Sequence, residues 1–110
     1  SVMSSADQKT CALAVGMSIM LYDSYEQKVI KKFRNIAAPP LRAQPVKNGK
    51  FIIYCGKKCY GMISTLCNKP VFYRELSINA GDITSFACSA NENYFSLGTT
   101  EGEVFICSMR

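Results

Sequence analysis

The chain has 110 residues, 48% of them hydrophobic and 19% charged, and 13 Lys and Arg against 8 Asp and Glu leave a formal net charge of +5. That balance excludes a disordered polyelectrolyte, and no run approaches the roughly 20 apolar residues that a membrane-spanning helix needs. The chain also has no His and no Trp, which removes the usual general base for a Ser or Cys nucleophile.

In chain order, the apolar stretches are short, alternating and bounded by Gly, Pro, Asn and Asp, the pattern of β-strands in a layered all-β domain. Residues 1–4 read as the end of an innermost strand, followed by strands over 11–16, 19–23 and 29–33. A proline-broken lead-in over 39–45 holds a short strand near 41–43. Behind it come 51–55, 62–66 and 71–76, then 83–88, 94–98 and 104–107. No segment carries a helical period.

The glycines that close one strand of each group, Gly16, Gly56 and Gly98, lie 40 and 42 residues apart. A period of about 40 to 45 residues with four short strands is that of a propeller blade. The chain then divides into units over about 1–35, 36–78 and 79–110. One such sheet cannot cover both of its faces, so each unit needs its neighbours. The reading requires the runs that end at Gly16 and Gly98 to lie in separate sheets.

The third unit carries the most specific motif. Ile83-Thr84-Ser85-Phe86-Ala87-Cys88-Ser89 is followed by a turn at 91–93 and by Tyr94-Phe95-Ser96-Leu97-Gly98-Thr99-Thr100-Glu101-Gly102-Glu103-Val104-Phe105-Ile106, and it resembles a WD40 repeat. In the first unit Tyr22-Asp23, closing Ile19-Met20-Leu21, stands where that family has Trp-Asp. The middle unit is degenerate, although Gly61-Met62-Ile63 falls where Gly102-Glu103-Val104 falls in the third. The resemblance implies consecutive four-stranded antiparallel blades of a WD40-like β-propeller. It has departures: Gly81-Asp82 stands in place of the family's Gly-His, and Glu101 stands near its turn Asp. The family's His-centred side-chain network is therefore not expected, and apolar packing is expected to hold the blades.

Propellers close with about 4 to 8 blades, and fewer than three fit here, with both ends falling within a blade. Three arrangements stay open: a piece of a longer propeller, a ring completed by a partner or a second copy, or one small sandwich or barrel.

Six cysteines in a short chain invite a disulfide framework. Cys11, Cys55, Cys88 and Cys107 sit in apolar runs, however, where free Cys behaves as a small hydrophobe, and nothing at the N-terminus reads as a secretory signal. Free thiols and an intracellular site, cytoplasmic or nuclear, are the expectation. Cys55-Gly56-Lys57-Lys58-Cys59 places two thiols about a turn, but a structural zinc site needs four ligands. The spacing is also not the two-residue one of redox pairs. Asp82, Glu92, Glu101 and Glu103 fall in turns and on solvent faces, and Gly98–Gly102 joins two strands rather than leading into a helix as a phosphate loop does. No enzyme, metal or cofactor is expected.

Interaction is the remaining class. In the resembled fold, the loops joining second to third strands and successive blades share one face. This gathers Arg34, Arg42, Lys57 and Lys58 beside Tyr60 as candidate partner-binding residues, Arg and aromatic side chains being the common anchors of interfaces. Lys28, Lys31 and Lys32 belong to an outermost strand, where lysines protect an exposed edge. The resemblance implies a non-catalytic platform for protein partners, one of which would complete the ring. The alternative is RNA or DNA binding through the basic face. Open edges would favour self-association.

Overall fold

The computed structural model describes residues 2–4, 10–34, 36 and 39–109, the first three as backbone. They form eleven strands: β1 (Val2–Ser4), β2 (Thr10–Val15), β3 (Ser18–Asp23), β4 (Lys28–Phe33), β5 (Arg42–Val46), β6 (Phe51–Cys55), β7 (Cys59–Ser64), β8 (Lys69–Glu75), β9 (Ile83–Cys88), β10 (Tyr94–Thr99) and β11 (Val104–Ser108). No helix occurs among the described residues.

The strands make three antiparallel sheets in plain meander order: β1-β2-β3-β4, β5-β6-β7-β8 and β9-β10-β11. The runs before Gly16 and through Gly98 lie in different sheets, as a repeat requires. The described residues thus form three consecutive blades, two of four strands and one of three, in a propeller-like fan of 42 × 29 × 22 Å that does not close. The innermost strands β1 and β5, together with β2, meet across the first two blades.

Alternation explains why the blades stack. Residues paired across a sheet share a face, so Ala12, Leu21 and Lys31 form one row and Ala14, Ile19 and Phe33 the next. The apolar members of these rows meet Ala43, Ile52, Tyr54 and Ile63 of the second blade in one core cluster. The opposite face of the second blade, with Val46, Ile53, Cys55 and Met62, meets Phe86, Phe95 and Leu97 of the third. Along β6 and β7, one alternate set of residues is therefore buried toward one neighbouring blade and the other set toward the other.

Two strands depart from expectation. The third strand of the middle blade begins at Cys59 rather than residue 62, because Gly61 is not a turn residue. It pairs with Tyr54, and a Cβ on it would lie 2.6 Å from the Tyr54 hydroxyl and 2.8 Å from the Phe72 carbonyl oxygen. A glycine inside a strand here marks close approach of a ring and a backbone. The innermost strand β5 runs on to Val46 through Pro45, which lies opposite Ile52. Proline is tolerated there because β5 is an edge strand.

The turn after β3 is built by Asp23, whose carboxylate Oδ1 accepts from Tyr25 N–H at 2.9 Å and Glu26 N–H at 3.0 Å. Such local bonding is what Asp offers at a turn.

A polar network ties the third blade to the linker before it. The Glu103 carboxylate accepts from the Gly81 N–H at 3.0 Å and the Thr99 hydroxyl at 3.1 Å, while Asp82 N–H donates to the Thr100 hydroxyl at 3.1 Å. Apolar packing is thus not the whole of what holds this blade. Glu103 rather than Glu101 makes the tie.

The outermost strands also differ. β4 carries Lys28, Lys31 and Lys32, and β8 carries Lys69, Pro70, Arg74 and Glu75, whereas β11 has no charged residue. No described strand covers the outer edge of β11, and Val104 and Ile106 are 70% and 75% exposed.

Candidate interaction groove

The five residues singled out by sequence do not converge. Lys57 and Lys58 form the loop between β6 and β7, and both are fixed through their backbones: the Lys57 carbonyl accepts from Ile83 N–H at 2.7 Å and the Lys58 carbonyl from Leu76 N–H at 2.7 Å. These bonds draw the linker between the second and third blades against the loop. The Lys58 ammonium donates to the Ala80 carbonyl and pairs with Asp82 at 3.5 Å, so it serves as a tether. The exposed Lys57 ammonium has no such partner among the described residues.

Arg34 follows β4 and is exposed at the seam between the first two blades. Arg42 opens β5 opposite Cys55, half-buried, and lines neither cleft described below. Its charge opposes the burial that pushes the Cys55 thiol up to about 11. Tyr60 lies on β7 rather than in a loop. Its ring packs edge-on against Phe95 at 5.5 Å and Phe72 at 6.2 Å, between the second and third blades. Burial, then contact with Cys107, raises its phenol pKa.

Two clefts open near these loops. The larger, about 620 Å³, lies between the two interblade linkers and is walled by Pro39, Leu41, Cys59, Tyr73, Leu76 and Ile78, with Lys57, Lys58 and Glu75 at its polar margin. The second, about 430 Å³, follows the seam of the first two blades, with Phe33, Ile36, Tyr54, Ile63, Pro70 and Tyr73 as its apolar and aromatic walls and Lys32, Arg34 and Asn68 at its polar margin. Tyr73 borders both. Burial, then the adjoining Cys59 thiol, holds its phenol above the ordinary range, so the ring stays neutral at physiological pH.

Leu41 and Ile78 are 45% and 86% exposed, and each lies in an interblade linker where a polar residue would cost nothing to keep in water. The seam is pinned at its far end by the Lys31 ammonium, which donates to the Thr65 carbonyl and, at 3.3 Å, to Asn68 Oδ1. Sequence reasoning missed Tyr73, Leu41, Leu76 and Ile78. The available signal was Ile78, an aliphatic residue inside the polar run Ser77-Ile78-Asn79-Ala80-Gly81-Asp82.

The cysteines offer no shared site. Cys55 pairs with Tyr60 across β6 and β7, so Cys59, one residue earlier on β7, presents its side chain to the other face. All six cysteines are free thiols. Among the described residues no group of three or more Cys, Asp or Glu has the geometry to hold a metal ion, and no helix is long and apolar enough to cross a membrane.

No protein-family model and no curated protein matches the chain. Solved structures do. Hsv2 of Kluyvelomyces marxianus superposes with a TM-score of 0.73 at 9% identity over 99% of this chain and 32% of its own. Hydrazine synthase of Kuenenia stuttgartiensis superposes with a TM-score of 0.78 at 12% identity over 98% of this chain and 32% of its own. At such identities the likeness is one of fold, and this chain, spanning about a third of the length of either, has a propeller-like all-β fold.

Proposed function

We propose that this chain is a non-catalytic interaction module of the WD40-like propeller kind, engaging partner proteins on the face that carries Lys57, the interblade linkers and the groove beside them. The observation that supports this most directly is the 620 Å³ cleft with Leu41 and Ile78 exposed on its walls. Exposed aliphatic side chains beside a concavity are the usual mark of a binding surface. Blade geometry explains the location, since linkers and second-to-third-strand loops converge at one end of the sheets. The uncovered blade faces favour partners that pack against them, a further blade among these, and they favour self-association when left bare.

Nucleic-acid binding is the second reading, favoured by the +5 net charge and by Lys32, Arg34 and Lys57 near one seam. It is the weaker one because aliphatic side chains separate these cations, and no exposed ring lies among them to stack a base.

The test is a selection of displayed peptides against the chain, repeated with Ile78→Glu and Leu41→Glu. Binders that survive selection on the parent and are lost on both variants support the reading. Binders indifferent to both variants overturn it. A labelled ten-nucleotide RNA titrated at two ionic strengths tests the second reading, which requires affinity that falls steeply with salt.

A further inference from the structure

Resting on that reading, we propose that the seam groove takes an extended acidic peptide bearing one bulky apolar side chain. The apolar side chain enters between Leu41, Leu76 and Ile78 against Tyr73, and the flanking carboxylates meet Lys57 at one end and Arg34 with Lys32 at the other.

Three observations carry this. The two clefts share Tyr73 as a common wall, so a single ligand can occupy both only by lying lengthwise along the seam, as an extended chain does. The larger cleft is apolar in its walls and of a size, about 620 Å³, that admits a large side chain. The cations also divide between the two clefts. Lys57 borders one and Arg34 and Lys32 the other, while among the described residues Glu75 is the only carboxylate on either lining and Lys58 is already engaged with Asp82. An acidic peptide meets cations in both clefts, whereas a basic peptide meets Lys32 and Arg34 unopposed in the smaller cleft and finds only Glu75, beside Lys57, in the larger. Complementarity of this kind selects partners more than it adds affinity. A phosphate backbone would find three spaced cations and a single half-exposed ring, Tyr73, among mostly aliphatic walls, so a peptide fits the lining better than nucleic acid does.

The probe is a fluorescein-labelled peptide, Glu-Asp-Glu-Ser-Phe-Asp-Glu-Gly, read by anisotropy beside a charge-reversed form with Lys at each acidic position and a form with Ser in place of Phe. The acidic apolar peptide should bind at least about tenfold more tightly than either control, a difference two exposed charge contacts and one buried side chain can supply. Lys57→Glu and Arg34→Glu should each weaken it about fivefold, and Ile78→Ser more. Lys50→Glu, in the turn at the other end of the second blade, should leave it unchanged. Equal binding of the acidic and reversed peptides, or no binding of either, overturns the proposal. Binding of a ten-nucleotide RNA that is lost with Lys57→Glu overturns it in favour of nucleic acid. If selected peptides require Leu41 and Ile78 but ignore Lys57 and Arg34, the acidic class fails while the interaction reading stands. If none requires Leu41 or Ile78, both fail.

Discussion

The two seams of this fan are built from different materials. Between the second and third blades, Tyr60, Phe72, Phe86 and Phe95 interlock, with Phe72 and Phe95 stacked at 6.4 Å and Phe86 tilted on Phe95 at 5.9 Å. The Glu103 network then closes the loop end. Between the first and second blades the filling is mainly aliphatic, Ala12, Ala43, Ile19, Leu21, Ile36, Ile52 and Ile63, with Phe33 and Tyr54 among them and Tyr73 packed alongside. The innermost strands of these two blades are in contact, and the clefts open between the outer parts of the seam and the linkers. The rings of the second seam pack on one another, whereas Tyr54 and Tyr73 of the first also wall the clefts, so the first seam is the one left able to receive a foreign side chain.

The sharpest way to break the contrast is Phe95→Ala, which removes the ring that three others touch. It should cost about 3–5 kcal/mol, measured by urea unfolding, and loosen the second seam. Next comes Gly61→Ala, which forces Tyr54 and the Phe72 backbone apart. A loss of about 1–3 kcal/mol is expected, together with reduced peptide binding, since Tyr54 walls the smaller cleft.

Alkaline pH acts on the well-packed seam. Burial raises the Cys55 and Cys88 thiols to about 11, above their unfolded values. The unfolded chain therefore gives up these protons first, and the stability the neutral thiols contribute is whole below about pH 9 and lost as pH rises through 11. The unfolding free energy from urea titrations should fall across that window by roughly 3 kcal/mol or more, and Cys55→Ala should flatten the slope. The smallest expected effect is the most telling: Ile78→Ser should shift stability by less than about 0.5 kcal/mol while weakening ligand binding, because Ile78 packs against nothing that the fold needs.

Most of the architecture was legible because it rests on alternation and on a period marked by glycines. Gly16, in the left-handed region at φ 56°, really closes a strand. Gly61 misled because a glycine required by a neighbouring ring looks, in one dimension, like one required by a turn. Tyr60 misled by its place after Lys57-Lys58, since the strand had already begun at Cys59 and alternation turned the ring inward. Choosing Glu103 over Glu101 needed the turn geometry, as both have the same parity. The groove itself could not be read, because Leu41, Lys57, Tyr73 and Ile78 come together only through the stacking of segments far apart in sequence.

β11 presents to its surroundings a strand of Val, Phe, Ile, Cys and Ser with no lysine, arginine or proline to deter pairing. Register with β10, fixed by Met109 N–H on the Asn93 carbonyl at 2.8 Å and Thr99 N–H on the Glu103 carbonyl at 3.0 Å, turns the amides of Val104 and Ile106 outward. Purified alone and concentrated, the polypeptide should thicken into thioflavin-binding material that seeds its own growth. Ile106→Lys is the single change that should keep the solution clear.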